Sequence, residues 1–363
     1  MRIAYVINSV EGGGAALPVP AVAAVLRANG ADVRILALTR RDGRALPAIA
    51  AASLPISVRE GGERDHAAAL AWLGRSLGQW TPDIVWTSLS RATLLGQLAG
   101  LRRGIPVVSW QHNAWLKPAN RRLLRLTQRL SRLWICDSPG VTALTAQRLH
   151  VPADRLATWS LFAANPQAPQ ARPWQPGEPL RLGTLGRLHP AKGHDILIAA
   201  LARLQADGFT PPVPFTVRIA GDGADRAATQ AAIDAAGLRH VQLTGYCDQP
   251  SAFLADLHLY LQPSRREGLC IAAHEAMAAG LPVLASAVGE MPHSIVDGIT
   301  GRIVPPADIP ALAHALRDLL TDPAQLAVMG TAARTRTLDR FGPDAFAATG
   351  GAIMARIAAM LPR

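Results

Sequence analysis

Short runs of β-branched and aliphatic residues alternate along the chain with longer alanine- and leucine-rich segments of helical character. The first run, 2–7, leads into the cluster Gly12-Gly13-Gly14 and a helical stretch that ends near Gly30. Similar runs recur at 32–38, 83–86 and 105–110, and again at 180–185, 215–220, 240–244, 258–262 and 282–285, with a helix predicted over 195–205. Strands alternating with helices predict α/β architecture with parallel sheets covered on both faces. Residues 165–179, NPQAPQARPWQPGEP, are rich in proline and lack apolar periodicity, which marks a linker. The expected organisation is an N-terminal Rossmann-like domain over 1–165, a linker over 166–179, and a C-terminal Rossmann-like domain over 180–343. A final helix within 344–363 is expected to pack back on the first domain.

At 363 residues the chain has the length of two domains, and 49% hydrophobic with 17% charged residues is a globular composition. No run of eighteen uninterrupted apolar residues predicts a membrane-spanning helix. The opening residues read as strand and loop rather than as a secretion signal. Cys136, Cys247 and Cys270 are scattered without metal-ligand spacing, so a reduced, cytoplasmic setting is expected and no metal site is predicted.

Charge changes the picture more. The net +11 belongs to the first half, where residues 1–165 hold 20 basic and 9 acidic side chains against 17 of each in 166–363. No carboxylate occurs between Asp83 and Asp137, while nine basic residues do. Within that stretch, residues 118–134 predict one amphipathic helix, with Leu123, Leu126, Leu130 and Leu133 on one stripe and Arg122, Arg125, Arg129 and Arg132 beside it. Flanking tryptophans complete the composition of a segment that lies on anionic lipid. A solvated arginine face with its leucines turned into the domain is the other reading. Nucleic acid is not expected, because no binding motif accompanies the charge.

The second half carries the candidate chemistry. Residues 267–286, EGLCIAAHEAMAAGLPVLAS, predict a helix from about Leu269 to Gly280, whose leading amides around Gly268 to Cys270 would suit an anion. Glu267 and Glu275, about 12 Å apart at helical rise, would suit the two ends of an extended ligand such as a sugar and a ribose joined by a diphosphate. Taken singly, each also reads as an ordinary exposed glutamate. Lys192, one of only two lysines, lies in the loop after strand 180–185, where open α/β sheets place ligands. A solvated loop lysine is the alternative. The loop lacks the glycine spacing and Lys-Ser/Thr pair of a nucleotide-triphosphate loop, which disfavours ATPase activity.

The Glu267-x7-Glu275 element, continued as Ala-Met-Ala-Ala-Gly-Leu-Pro-Val, resembles the signature of family 4 retaining glycosyltransferases of the GT-B type. Gly186-Arg187 with Lys192-Gly193, Ala220-Gly-Asp-Gly223, Leu243-Thr-Gly-Tyr246, Val288-Gly-Glu-Met-Pro292 and Asp297-Gly-Ile-Thr-Gly301 resemble its other blocks and occur in the family's order. The resemblance implies two Rossmann-like parallel-sheet domains facing across a cleft, and a metal-independent enzyme that moves a sugar from a UDP- or GDP-linked donor with retention of configuration. No cofactor beyond that donor substrate is implied. Arg187 and Lys192 would neutralise the diphosphate, Gly268 and Leu269 would contact sugar and phosphate through their backbone, and Glu275 would hold the ribose. Glu267 and His112 would flank the transferred sugar, and Gly13 and Gly14 would let the first-domain backbone approach the phosphates. A role for Asp248 at the base follows only weakly.

Family members acting on glycan or lipid-linked acceptors suggest a role in cell-surface polysaccharide or lipopolysaccharide assembly, peripheral on the inner face of the cytoplasmic membrane. Ala15-Ala16-Leu17-Pro18 departs from the acidic residue that often follows the glycine loop, and Cys270 with His274 replaces more apolar positions of the signature helix. A nucleotide-sugar epimerase, a phosphorylase, or a non-enzymatic basic protein binding lipid or nucleic acid are the competing expectations. His112 alone also reads as a hydrogen-bonded loop histidine.

Overall fold

A computed structural model describes residues 1–113 and 115–361. The chain divides into two compact units, residues 1–163 with 343–363, and residues 164–342. Each is built on one sheet whose strands all pair in parallel.

The first unit contains β1 (Arg2–Ile7), β2 (Asp32–Ala37), β3 (Ile56–Val58), β4 (Ile84–Ser88), β5 (Val107–Gln111), β6 (Ser131–Cys136) and β7 (Leu156–Thr158), in the order β3-β2-β1-β4-β5-β6-β7. Strands β4 and β5 are buried at every position, the mark of a sheet covered on both faces. Helices end where the residues cannot continue them, as at Gly104 after Ser90–Arg103, with φ +67°. An aromatic ladder crosses the core. Trp86 lies 5.7 Å from Trp110, Trp110 stacks on Trp159 at 4.9 Å, and Trp159 meets Phe346 at 5.1 Å. Phe346 belongs to the C-terminal helix Pro343–Ala358, and its carbonyl accepts the Trp159 indole N–H at 3.1 Å. Aromatic pairs of this kind add about 0.5–1.5 kcal/mol beyond the area they bury.

The second unit contains β8 (Leu180–Leu185), β9 (Phe215–Ala220), β10 (Val241–Gly245), β11 (Leu259–Gln262), β12 (Val283–Ser286) and β13 (Gly301–Val304), in the order β10-β9-β8-β11-β12-β13. In both sheets the order reverses beside the first strand, between β1 and β4 and between β8 and β11. The carboxyl ends of those neighbouring strands are the usual ligand position in such sheets. The proline-rich residues 166–179 form no helix or strand and are tied to this second unit, since Ala171 N–H donates to Ala279 O at 2.7 Å and Arg334 Nη2 to Pro166 O at 2.6 Å.

The predicted single helix over 118–134 is corrected. The helix runs only Pro118–Thr127, a 3-10 turn follows at Gln128–Leu130, and residues 131–136 are β6. Leu133 is therefore a buried strand residue, and Arg132 reaches Met360 O at 3.1 Å instead of joining a helical arginine stripe. A hydrophobic run that is buried on both faces reads in sequence like the apolar side of a helix, which is why the periodicity misled. Trp110 and Trp134 are fully buried core residues, whereas Trp115 is 46% exposed, with the Arg148 guanidinium 4.1 Å above its ring.

Candidate active site

In the second unit the loops after β8 and β11 meet through two charged contacts. The 3-10 turn Pro190–Lys192 carries Lys192, whose Nζ donates to Glu267 Oε1 at 2.7 Å. The same oxygen accepts from Ser264 Oγ at 2.7 Å and Gln262 Nε2 at 3.1 Å. Gln262 is steadied in turn by Tyr260, whose hydroxyl donates to Gln262 Oε1 at 3.1 Å and accepts from Leu185 N–H at 3.1 Å, with Leu185 O 3.0 Å away. On the outer side Arg265 grips Asp195 at 2.7 and 2.5 Å and Pro190 O at 3.0 Å, so the two loops are clamped twice.

Burial disfavours the Lys192 ammonium, but the charge of the adjacent Glu267 outweighs it, and its pKa rises. Lys192 therefore stays charged, paired with Glu267. Arg187, exposed in the same loop, places a second positive charge near enough for Lys192 to feel. Burial and then the neighbouring Glu267 push the Cys270 thiol up, so it is an inert thiol.

Next to this pair the signature helix runs Ile271–Ala278, starting two residues later than predicted because Cys270 adopts a left-handed φ of +66°. Gly280 closes it at φ +84°, as its position suggested. No hydrogen bond runs from the amides of Gly268, Leu269 or Cys270 to another described residue's backbone. His274 holds the helix from inside. Its Nδ1 donates to Cys270 O at 2.9 Å, its Nε2 pairs with Ser294 Oγ at 2.8 Å, and burial lowers its pKa to about 4. The two residues that depart from the signature thus form one internal brace.

Glu275 is half-buried, and burial pushes its carboxyl up to about 7 with no compensating partner among the described residues. The loops are packed so closely that glycine is required at the crossings. A Cβ on Gly221, at φ +142°, would run into Gly186 O, and one on Gly289, at φ +59°, into Gly268 O. Asp248 is exposed outside this cluster.

The remaining predicted residues lie in the first unit, at the carboxyl ends of its strands. Gly13 and Gly14 follow β1, where Gly12 N–H donates to Asp42 Oδ1 at 2.9 Å. His112 follows β5, with Nε2 2.6 Å from Ser88 Oγ and Nδ1 3.0 and 3.1 Å from the two Asp137 oxygens. Sequence reasoning missed Gln262, Ser264, Ser88 and Asp137. Gln262-Pro-Ser264 directly after a strand was a usable signal, whereas Ser88 and Asp137, 24 and 25 residues from His112, carried none.

Residues 12–162 match the family described as Glycosyltransferase Family 4, and residues 170–336 match Glycosyl transferases group 1. The chain belongs to the group 1, family 4 type glycosyltransferases. It is 30% identical over 296 residues to a glycogen synthase of Mycobacterium tuberculosis, covering 72% of this chain and 66% of that protein. Over 168 residues it is 36% identical to a GDP-mannose-dependent phosphatidylinositol monomannoside mannosyltransferase of Mycolicibacterium smegmatis, 43% of each chain. Among solved structures, Anabaena HepE in complex with UDP-glucose superposes with a TM-score of 0.82 at 21% identity, covering 99% of this chain and 100% of that one. This glycosyltransferase family member has the GT-B fold, as expected.

Proposed function

We propose that this chain is a retaining glycosyltransferase that moves a sugar from a UDP- or GDP-linked donor to a glycan or lipid-linked acceptor in cell-surface glycan assembly. The observation that carries the reading is the conjunction, at the β8/β11 switch point, of the Lys192–Glu267 pair with Glu275, a half-buried carboxyl that burial alone raises to about 7. A ligand with hydroxyls at both ends and a diphosphate between them supplies what each group lacks.

In this reading Arg187, Lys192 and the Gly268 and Leu269 amides stabilise the departing diphosphate. Preorganised donors aimed at developing negative charge are worth about 3–4 kcal/mol each in a water-poor site. Positive side chains in that role make a divalent metal dispensable, so turnover should survive chelation. Glu275 accepts the ribose hydroxyls. Glu267, its Oε1 already saturated by three donors, presents Oε2 to the sugar hydroxyls and to positive charge growing at the anomeric carbon. Gly13, Gly14 and His112 are assigned to the donor's phosphate and sugar. A GDP-mannose-dependent relative and a structural neighbour in complex with UDP-glucose support a GDP- or UDP-linked donor.

The reading extends to an anionic bilayer. No helix among the described residues is long and apolar enough to cross a membrane. On Pro118–Thr127, however, Leu123 and Leu126 are 47% and 73% exposed beside the exposed Arg121, Arg122 and Arg125, with Arg129 one turn on. Such a face suits attachment to the inner surface of the cytoplasmic membrane.

The test is thermal stability with UDP, GDP, ADP and dTDP, for wild type and Lys192→Ala, followed by turnover of the matching sugar nucleotides. Ligands that bind the native state raise stability by about 2.7 kcal/mol at a hundredfold excess over Kd. One diphosphate should stabilise the wild type and not the variant, and its release from the sugar nucleotide should require acceptor. Isomerised donor without release would mean an epimerase, sugar phosphate a phosphorylase, and indifference to all four diphosphates would sink the proposal.

A further inference from the structure

Ser88, His112 and Asp137 come from the ends of three adjacent strands, β4, β5 and β6, and form a closed chain of hydrogen bonds inside the first unit. Asp137 is 4% exposed, and its carboxylate is held on a second side by Trp110 Nε1, which donates to Oδ1 at 2.6 Å. Trp110 is itself fixed in the aromatic ladder by stacking on Trp159 at 4.9 Å. A carboxylate with both oxygens within 3.1 Å of Nδ1 can only accept, so Nδ1 carries the proton. On the other side Ser88 is wholly buried and sits 2.6 Å from Nε2. The next residue, Leu89, holds φ +76°, an uncommon conformation for a side chain branched beyond Cβ, which turns the chain sharply from β4 into the helix Ser90–Arg103. The His112 side chain is left 8% exposed.

We infer that Asp137 is the positioning residue for His112, locking its imidazole in the Nδ1–H tautomer with Nε2 turned inward to Ser88, so that His112 serves the transfer as a fixed wall of the donor site and not as a proton carrier. Neither ring nitrogen is available to a substrate hydroxyl while this chain is closed. The inference rests on the assignment of His112 to the donor sugar, and adds a residue to that site.

In Asp137→Asn the side chain keeps its volume, but its amide can donate to Nδ1 and free the ring to take the Nε2–H tautomer. With histidine labelled by nitrogen-15 and the His112 signals assigned by their absence in His112→Asn, the wild type should show protonated Nδ1 and unprotonated Nε2. Asp137→Asn should reverse or mix that pattern and lower kcat by up to about 100-fold, the scale of a misplaced active-site group, with KM for the donor little changed. Ser88→Ala should keep the wild-type tautomer, because Asp137 alone fixes the proton on Nδ1. A wild-type ring protonated on Nε2, or an Asp137→Asn variant that loses the tautomer and keeps kcat, would overturn the inference. A wild type that turns over no sugar nucleotide would instead remove the transferase reading, and the nitrogen spectra would still decide whether the ring is locked.

Discussion

Lys192 Nζ and Glu267 Oε1 meet at 2.7 Å although 75 residues separate them in the chain. The pair joins the loops on either side of the point where the sheet order reverses, so it is both a clamp and a charge source. These roles separate on mutation. Removing one partner leaves a largely desolvated charge, which typically costs about 3–5 kcal/mol, whereas removing both is far milder. Lys192→Met and Glu267→Gln should each lower stability in urea unfolding, and the double variant should recover a coupling of about 1–3 kcal/mol. Diphosphate binding should not recover with it. Recovery of binding in the double variant would show that the pair is structural only.

Glu275 has a folded-state pKa of about 7, raised by burial from an ordinary 4.5. The folded chain therefore holds more protons than the unfolded chain between those values, and stability falls as pH rises through that window. Allowing for the partial exposure of the carboxyl, the loss is on the order of 1–2 kcal/mol. Glu275→Gln should melt higher than the wild type at pH 8, with the difference vanishing near pH 4. Donor affinity should move oppositely in the wild type, weakening as pH drops below about 7, because the proton competes with ribose for the same oxygens. A flat donor KM between pH 6 and 8 would remove Glu275 from the ribose.

Gly221 stands where the backbone after β9 crosses the loop after β8, and a Cβ there meets Gly186 O. Alanine would have to open the crossing and adopt φ +142°. Gly221→Ala should cost about 3 kcal/mol or more and displace the Arg187–Lys192 loop. Calorimetry should show the lowered transition, with diphosphate stabilisation lost even well below it. Gly208→Ala, also at positive φ but with open space around it, should cost less and leave binding intact.

Leu123 and Leu126 contribute little to folding, being 47% and 73% exposed. Leu123→Glu with Leu126→Glu should leave the melting temperature within a degree or so of wild type, since surface substitutions stay within about 0.5 kcal/mol. Sedimentation with phosphatidylglycerol vesicles should fall sharply in that variant, and wild-type binding should weaken as salt rises. Equal sedimentation with neutral phosphatidylcholine vesicles would argue against an anionic surface as the partner.

Strand and helix alternation, the glycine-bounded signature helix and the charged loop after the first strand of the second half were all legible along the chain, because each depends on neighbours a few residues apart. The short strands β3 and β7 lacked a distinct apolar run, and β6 was mistaken for helix because burial on both faces erases the period that separates the two. Lys192 and Glu267 could be chosen as candidates by residue type, but their contact could not.

The sequence by itself determined the two parallel sheets, the family and the identity of the second unit's charged groups, since local periodicity and motif spacing encode these. Only the tertiary structure decided that Glu267 spends one oxygen on Lys192, Ser264 and Gln262, that Glu275 is left to burial alone, and that Asp137 and Ser88 close around His112. Those relations depend on strand order and loop crossing, and a chain folded into parallel strands brings its chemistry together at strand ends that lie tens of residues apart.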